Sequence, residues 1–531
     1  MRSNDFTPRG VRAALLLILL IGLSLRLIGL QRDLWYDEGF SLFNARGADI
    51  VQTTIEPNGR IFTSEIFAKD GGWRGVLEAT SHSERTPPSY FAALRVWKSI
   101  FGESNAAMRA LSVLFGLLTL VAVFFLGRAL IGEHAALAAV AVLALLPSHI
   151  QYSQQVRAYS LTILLTTTAS LIFWNASRAI GTARERRQWA LYAGLAAASL
   201  YTHYFAAGVL GAHALFALTR PRAERAALIW RLAAVGLIVL VLLAPWFLSG
   251  YVSNQLGLMQ FYESGSPWTL ETPKNIARLA GYLVSGWFPA IVFQSMSGVL
   301  VLGLYAAGLW ALVGAVRART DRSPIVFILL LTVTPVLGVI AAAVALRQPL
   351  MLRVPHYLMP AVTGLSLALG VALGARRRRA DGVMTVVMLL AASAWFQVRL
   401  NSQATYAPKP FYGSVSKAVA LLNRQISTDS IIVFDHVSLA VTWNIYQRGP
   451  MPQVVVAEQP FFFQDAVDFD SAWKNLSTRF RHVALVRAHD TRPSAVSTNL
   501  AADYQLVRSD RIDQWELLTY ERPSRPGPSS R

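Results

Sequence analysis

Asp33-Leu34-Trp35-Tyr36-Asp37-Glu38-Gly39-Phe40-Ser41 follows directly on the first apolar run of the chain, residues 13–30. Two adjacent carboxylates, Asp37 and Glu38, therefore lie among aromatic side chains where a hydrocarbon segment ends. Most acidic pairs are solvated surface. A pair at the edge of a bilayer has no cheap structural role, which marks it as a candidate reaction centre.

The run before it is close to the ~20 apolar residues that cross a bilayer core of ~30 Å. Arg2, Arg9 and Arg12 precede it and no small-residue cleavage site follows. It therefore reads as a retained first helix with a cytoplasmic N-terminus, not as a signal peptide. The same pattern recurs along the chain, whose 531 residues are 54% hydrophobic and only 15% charged. Such a composition lies outside that of soluble domains. Further apolar blocks fall at 106–130, 135–150, 158–177, 189–218, 226–248, 298–316, 324–346, 355–374 and 383–398. Block 189–218 is long enough to bend back as two short crossings around Thr202-His203, which makes eleven spans. Residues 275–294 read as interfacial or re-entrant. In 87–101, Arg95 and Lys98 oppose Phe91, Leu94 and Trp97, as suits a helix lying in the interface.

Charge orients these spans. Lys and Arg number 49 against 30 Asp and Glu, a net +19. The arginines gather in short loops, among them Arg184, Arg186 and Arg187, then Arg220, Arg222 and Arg225. Membrane orientation thus explains the excess, and a nucleic-acid partner is not implied. Eleven crossings place loop 31–86 and the C-terminus outside the cytoplasm, in an inner cell membrane protein with many passes. The absence of cysteine excludes disulfides and thiolate metal sites.

Residues 1–400 form the membrane module. After it the composition becomes that of a soluble α/β domain, 401–521, ahead of a disordered Pro-, Ser- and Arg-rich tail, 522–531. Strands are predicted at 430–435, 453–457, 482–487 and 515–520, with helices at 417–426 and 438–447.

Several polar clusters then fall on the face that carries Asp37 and Glu38. They are Glu84 and Arg85; the 151–159 joint with Gln155, Arg157 and Tyr159; Tyr201, His203 and Tyr204; and Arg347, Arg353, His356 and Tyr357. Arg26, near the end of the first helix, either snorkels or joins them. Carboxylates facing cations at a lipid interface suit transfer of a group away from a phosphate. A carboxylate removes the proton of an attacking hydroxyl, and cations stabilise the departing phosphate.

The ordered motifs LWYDEGFSL, RTPPSYFAALRVWKSIFGESNAAMRALS and LPSHIQYSQQVRAYSL resemble those of GT-C glycosyltransferases of the family-39 type, relatives of protein O-mannosyltransferases and aminoarabinose transferases. The resemblance covers 13–218 well and the later helices by pattern. It implies a polytopic α-helical fold whose first outer loop carries the catalytic carboxylate, a polyprenyl-phosphate sugar donor, and inversion at the anomeric carbon. The acceptor would be a glycan, a lipid or a protein. Asp37 would then be the general base and Glu38 would position the acceptor or support Asp37. Arg157 and Tyr159 match the family's Arg-x-Tyr near the donor phosphate, and His356-Tyr357 stands where Arg-Tyr is usual, with Arg353 one turn earlier. Thr86 replaces the His of His-Pro-Pro, and Gln155 replaces an acid. Some relatives hold a divalent cation, for which Glu84 and His203 could be ligands, though their spacing carries no metal signature. A transporter or lipid flippase, its path lined by these polar residues, is the alternative. It would normally show an internal repeat, and none is seen.

Overall fold

In the computed structural model, the structure describes residues 8–51, 60–84, 86–253, 321–346, 351, 355–374, 414–427, 429–456, 479–488 and 495–523. Spans 298–316 and 383–398, the segment 275–294, and the residues Arg85, Arg347 and Arg353 lie outside them.

The membrane module is helical. Helix α1 (Pro8–Leu27) leads to α2 (Tyr36–Arg46), α3 (Gly72–Ser83) and α4 (Ser89–Phe101), which together build the first loop. Then come α5 (Asn105–Ile131), α6 (Glu133–Leu145), α7 (Pro147–Ser153), α8 (Tyr159–Arg178), α9 (Glu185–Leu200), α10 (Ala207–Leu218) and α11 (Arg222–Leu248). Helix α12 (Ser323–Ala345) and, after a 3-10 turn, α13 (Val362–Gly374) follow among the described residues. Among the described residues five helices are long and apolar enough to cross a membrane, and six if α6 and α7 count as one.

Block 135–150, expected as one span, is instead broken at Leu146 and bent by 63°. Pro147 supplies no N–H and forces an extended backbone on Leu146 (ψ 119°), so the helix cannot run through. A carbonyl freed at such a break must find a donor where there is no water. Arg26 provides it, donating from Nη1 to the Ala144 carbonyl at 3.1 Å. Arg26 is fully buried and does not snorkel. Gly22 and Gly116 let the helices approach closely around it: a methyl at Gly22 would meet Leu120 at 3.1 Å, and one at Gly116 would meet Ser153 Oγ at 2.3 Å. Block 189–218 breaks where expected, with His203 between α9 and α10.

The interface reading of 87–101 is corrected for its charged face. Arg95 turns inward, donating to the carbonyls of Ala45 and Arg46 at 3.1 Å each and pairing with Asp70 at 2.7 Å. It ties α4 to the end of α2 and to the loop before α3.

The C-terminal region holds α14 (Val415–Asn423) and α15 (Val437–Asn444) beside a mixed sheet that has, among the described residues, six strands in the order β1-β3-β2-β4-β6-β5. Its strands are β1 (Phe62–Thr63), β2 (Ile431–Phe434), β3 (Pro452–Val455), β4 (His482–Ala488), β5 (Gln505–Ile512) and β6 (Trp515–Glu521). The four predicted strands are present, and β2–β3 and β2–β4 pair in parallel. Two strands were not foreseen. Strand β5 is an exposed edge with a bulge between Leu506 and Arg508, so its residues show no apolar alternation. Strand β1 comes from the first loop and pairs antiparallel with β3. The sheet is thus completed by residues from both sides of the 401 boundary.

Alternation along β2 explains how the two regions join. Ile431 and Val433 face a core with Leu500 and Tyr504. Ile432 and Phe434 face the opposite core, which also contains Leu34, Phe40 and Phe43 of the first loop and Trp443 of α15. On that face of the sheet α15 packs against the back of α2. Its approach is close: a methyl added at Gly39 would lie 2.8 Å from Ile445 Cδ1.

Candidate active site

Helix α2 places the acidic pair in its first turn. Trp35, extended at φ −98° and ψ 177°, ends the preceding chain, and the Glu38 side chain reaches back to accept its N–H at 3.2 Å. This is half of a capping box, with the acid three residues after the cap.

Glu38 is fully buried and its oxygens are committed. Oε1 accepts from Arg109 Nε at 2.9 Å and from the Val156 N–H at 3.0 Å. Oε2 accepts from Arg109 Nη2 at 2.6 Å as well as from Trp35. A carboxylate taking four hydrogen bonds has no lone pair to offer a substrate. Arg109 also donates to the carbonyls of Leu30 (2.9 Å), Asp33 (3.0 Å) and Arg32, so it gathers the chain between α1 and α2 around one guanidinium. Sequence reasoning missed Arg109. The available signal was an arginine in the first turns of an otherwise apolar span.

Asp37 differs in every respect. It is half-buried, and among the described residues its carboxylate accepts no hydrogen bond. Only its backbone carbonyl is used, by Ser41 Oγ at 3.1 Å and Arg157 Nη1 at 3.2 Å.

Arg157 follows α7 and is the electrostatic centre of the cluster. Its Nη2 donates to Glu84 Oε2 at 2.8 Å, and its Nη1 pairs with Glu84 Oε1. Burial works against its charge, but Glu84, Tyr159 and Asp37 outweigh that and hold its pKa well above the usual value. Its guanidinium lies 5.8 Å from the Tyr159 ring centre. Tyr159 in turn stacks on His356 at 4.5 Å and 27°.

His203 stands 6.1 Å from Tyr159 and 6.0 Å from Tyr357, ring centre to ring centre. Its Nδ1 accepts the Phe205 N–H at 3.2 Å, which assigns its proton to Nε2. That Nε2 is buried and has no partner among the described residues. Burial, with the Arg157 charge second, pushes the imidazole pKa down to about 3, so it is a neutral donor.

Asp37, Glu84, Arg157, Tyr159, His203, His356 and Tyr357 thus come together from five separate stretches of chain, and Arg353 lies outside the described residues. Glu84 does not suit a cation ligand here, since both its oxygens serve Arg157. Among the described residues no three His, Asp or Glu side chains are grouped to hold a metal. Beneath the cluster, His149 Nδ1 lies 2.6 Å from Arg26 Nη2, and Gln154 Nε2 caps the end of α1 through the carbonyls of Leu25 (3.2 Å), Arg26 (3.1 Å) and Ile28 (2.8 Å). Neither contact was foreseen.

Residues 85–248 match the family model described as dolichyl-phosphate-mannose-protein mannosyltransferase. Among solved structures, ArnT from Cupriavidus metallidurans bound to undecaprenyl phosphate matches with a TM-score of 0.61 and 15% identity, over 97% of this chain and 98% of that one. Its apo state matches at 0.59 and 16%, over 96% and 98%. The Archaeoglobus fulgidus oligosaccharyltransferase in complex with Zn and sulfate matches at 0.51 and 12%, over 89% of this chain and 67% of that one. A comparison with curated protein sequences finds no match. The resemblance read from the motifs is thereby met by a family model over residues 85–248, and the fold is like that of ArnT.

Proposed function

We propose that this protein moves a sugar from a polyprenyl-phosphate donor to an acceptor hydroxyl, with inversion, on the extracytoplasmic side of the membrane. The observation that carries this reading is the division of labour among three clustered carboxylates. Glu38 is saturated, Glu84 is bound to Arg157, and Asp37 is left to take a proton. In the reaction the acceptor oxygen attacks the anomeric carbon from the face opposite the phosphate. Its proton passes to Asp37, and the bond from the anomeric carbon to the phosphate oxygen breaks. The polyprenyl phosphate leaves with the electron pair, its added charge met by Arg157 and by the His203 Nε2–H in a partly dry site.

Three further points support the reading. The cluster sits at the ends of apolar helices, where a lipid-borne phosphate would lie. The ArnT of like fold was solved with undecaprenyl phosphate bound. The arginine-rich short loops favour an orientation with this face outside the cytoplasm.

Asp37→Asn is expected to lower transfer by roughly 10²–10⁴-fold, the usual worth of a general base, while donor binding is kept. Mass spectrometry of lipids co-purified with the variant should find a polyprenyl-phosphate sugar. Full transfer by Asp37→Asn would defeat the assignment.

A further inference from the structure

The start of α2 is held from two directions. From the membrane module, Arg109 gathers the carbonyls of Leu30, Arg32 and Asp33. From the sheet region come two backbone-level anchors. The Tyr446 hydroxyl, just after α15, accepts the Leu34 N–H at 2.6 Å and donates to Asn105 Oδ1 at 2.9 Å. The Ser416 N–H, in the first turn of α14, donates to Asp33 Oδ2 at 2.7 Å. Asn105, at the start of α5, closes the circuit by donating to the Gln31 carbonyl at 3.2 Å and to Asp33 Oδ1 at 3.4 Å.

Leu34 is 1% exposed, so its N–H would be an orphaned buried donor without the Tyr446 oxygen. Burial, with the Asp33 charge second, raises the Tyr446 pKa, so the hydroxyl stays protonated and its bond to Asn105 persists. Leu34 and Asn105 lie 412 and 341 residues from Tyr446 in the chain. No local folding preference brings them together; the tertiary fold does.

The geometry points to Tyr446 as a positioning residue for Asp37, which makes the C-terminal sheet region a working part of the transfer site. Asp37 lies one turn beyond Leu34, so a shift of the Asp33–Trp35 turn displaces its carboxylate directly. Glu84, Tyr159, His203 and His356 hang from other elements, and Arg157, which touches α2 at the Asp37 carbonyl, is held by its ion pair with Glu84. Displacement of a base by ~1 Å costs up to ~10²-fold in rate with little effect on binding elsewhere. The Glu38–Arg109 pair still grips α2 from the other side, so the loss on removing one hydroxyl should be partial.

This inference rests on Asp37 acting as the base. The test uses full-length Tyr446→Phe in lipid nanodiscs, with sugar transfer followed across concentrations of synthetic polyprenyl-phosphate mannose, glucose and aminoarabinose. The expected result is a kcat about tenfold lower per folded protein, with KM for the donor within about twofold of wild type. A purely structural tyrosine would lower the melting temperature and leave kcat per folded protein unchanged, and that outcome overturns the inference. Asp33→Asn, which weakens the Ser416 anchor, is measured in the same way and decides the matter should Tyr446→Phe not fold. Absence of transfer by the wild type with every donor would defeat the functional reading instead. Hydrogen exchange at the amides of Leu34 to Asp37 needs no donor: faster exchange in Tyr446→Phe, with the rest of α2 still protected, supports the anchor, and unchanged exchange removes it.

Discussion

Asp37 and Glu38 carry the same functional group one residue apart, and only their surroundings separate them. Glu38 is a buried anion paired with a buried cation, and removing one partner of such a pair leaves the other charge stranded. Glu38→Gln should therefore destabilise the protein by about 3–5 kcal/mol, read as a fall in the melting temperature of the solubilised protein. Asp37→Asn, by contrast, breaks no ion pair among the described residues and should leave the melting temperature nearly unchanged while transfer is lost. The sequence made Asp37 legible, because an acid beside a membrane helix is conspicuous. It could not reveal the commitment of Glu38, since Arg109 lies 71 residues away and is one of many arginines. His203 was visible as a polar residue at a helix turn. Its tautomer and neutrality depend on burial and on Phe205, which hydropathy does not report.

At the scale of elements, α2 is seated by glycines as much as by charges. Gly47 ends it in the left-handed region at φ 75°, its N–H closing on the carbonyls of Asn44 and Phe43. Helix α3 then packs so tightly on this turn that a methyl at Gly75 would meet the Gly47 carbonyl oxygen at 2.6 Å. Backbone cannot yield there as a side chain would. Gly75→Ala should cost about 1–3 kcal/mol of stability by overpacking and, by tilting α2, lower transfer as well, which thermal unfolding and an activity assay would show together. How far elements could be read from sequence followed their periodicity and breakers. Spans beginning at Asn105, Arg222 and Ser323 emerge from apolar length alone. The division of α6 from α7 was signalled by Leu146-Pro147 but hidden by the apolar run around it. Strand β5, polar and exposed, gave no signal at all.

On the scale of the whole molecule, the composition change near residue 401 marks where the chain leaves the apolar module, not where an independent body begins. The core that contains Phe40 and Phe43 also contains Ile432, Phe434 and Trp443, and β1 lends its edge to β3. A chain truncated before residue 414 would expose this apolar face of the first loop and leave β1 unpaired. Such a truncation is expected to lose transfer and to run as aggregate on size exclusion. A monodisperse, active truncation would show that the two regions are separable. Amino-acid sequence revealed both regions but not their junction, because the strand that joins them is two residues long and lies in a loop.

That junction also sets a timetable for biogenesis. Ser64, beside β1, is bonded by the Met451 N–H, 387 residues later in the chain. At roughly 5–20 residues per second, a ribosome needs between about 20 and 80 s to supply that partner. Throughout this interval the first loop has its charged clamp to α5 but neither the β3 partner of its strand nor the cover over Phe40 and Phe43. The nascent loop is then an exposed apolar surface awaiting the last quarter of its own chain, the stage at which a chaperone would find it.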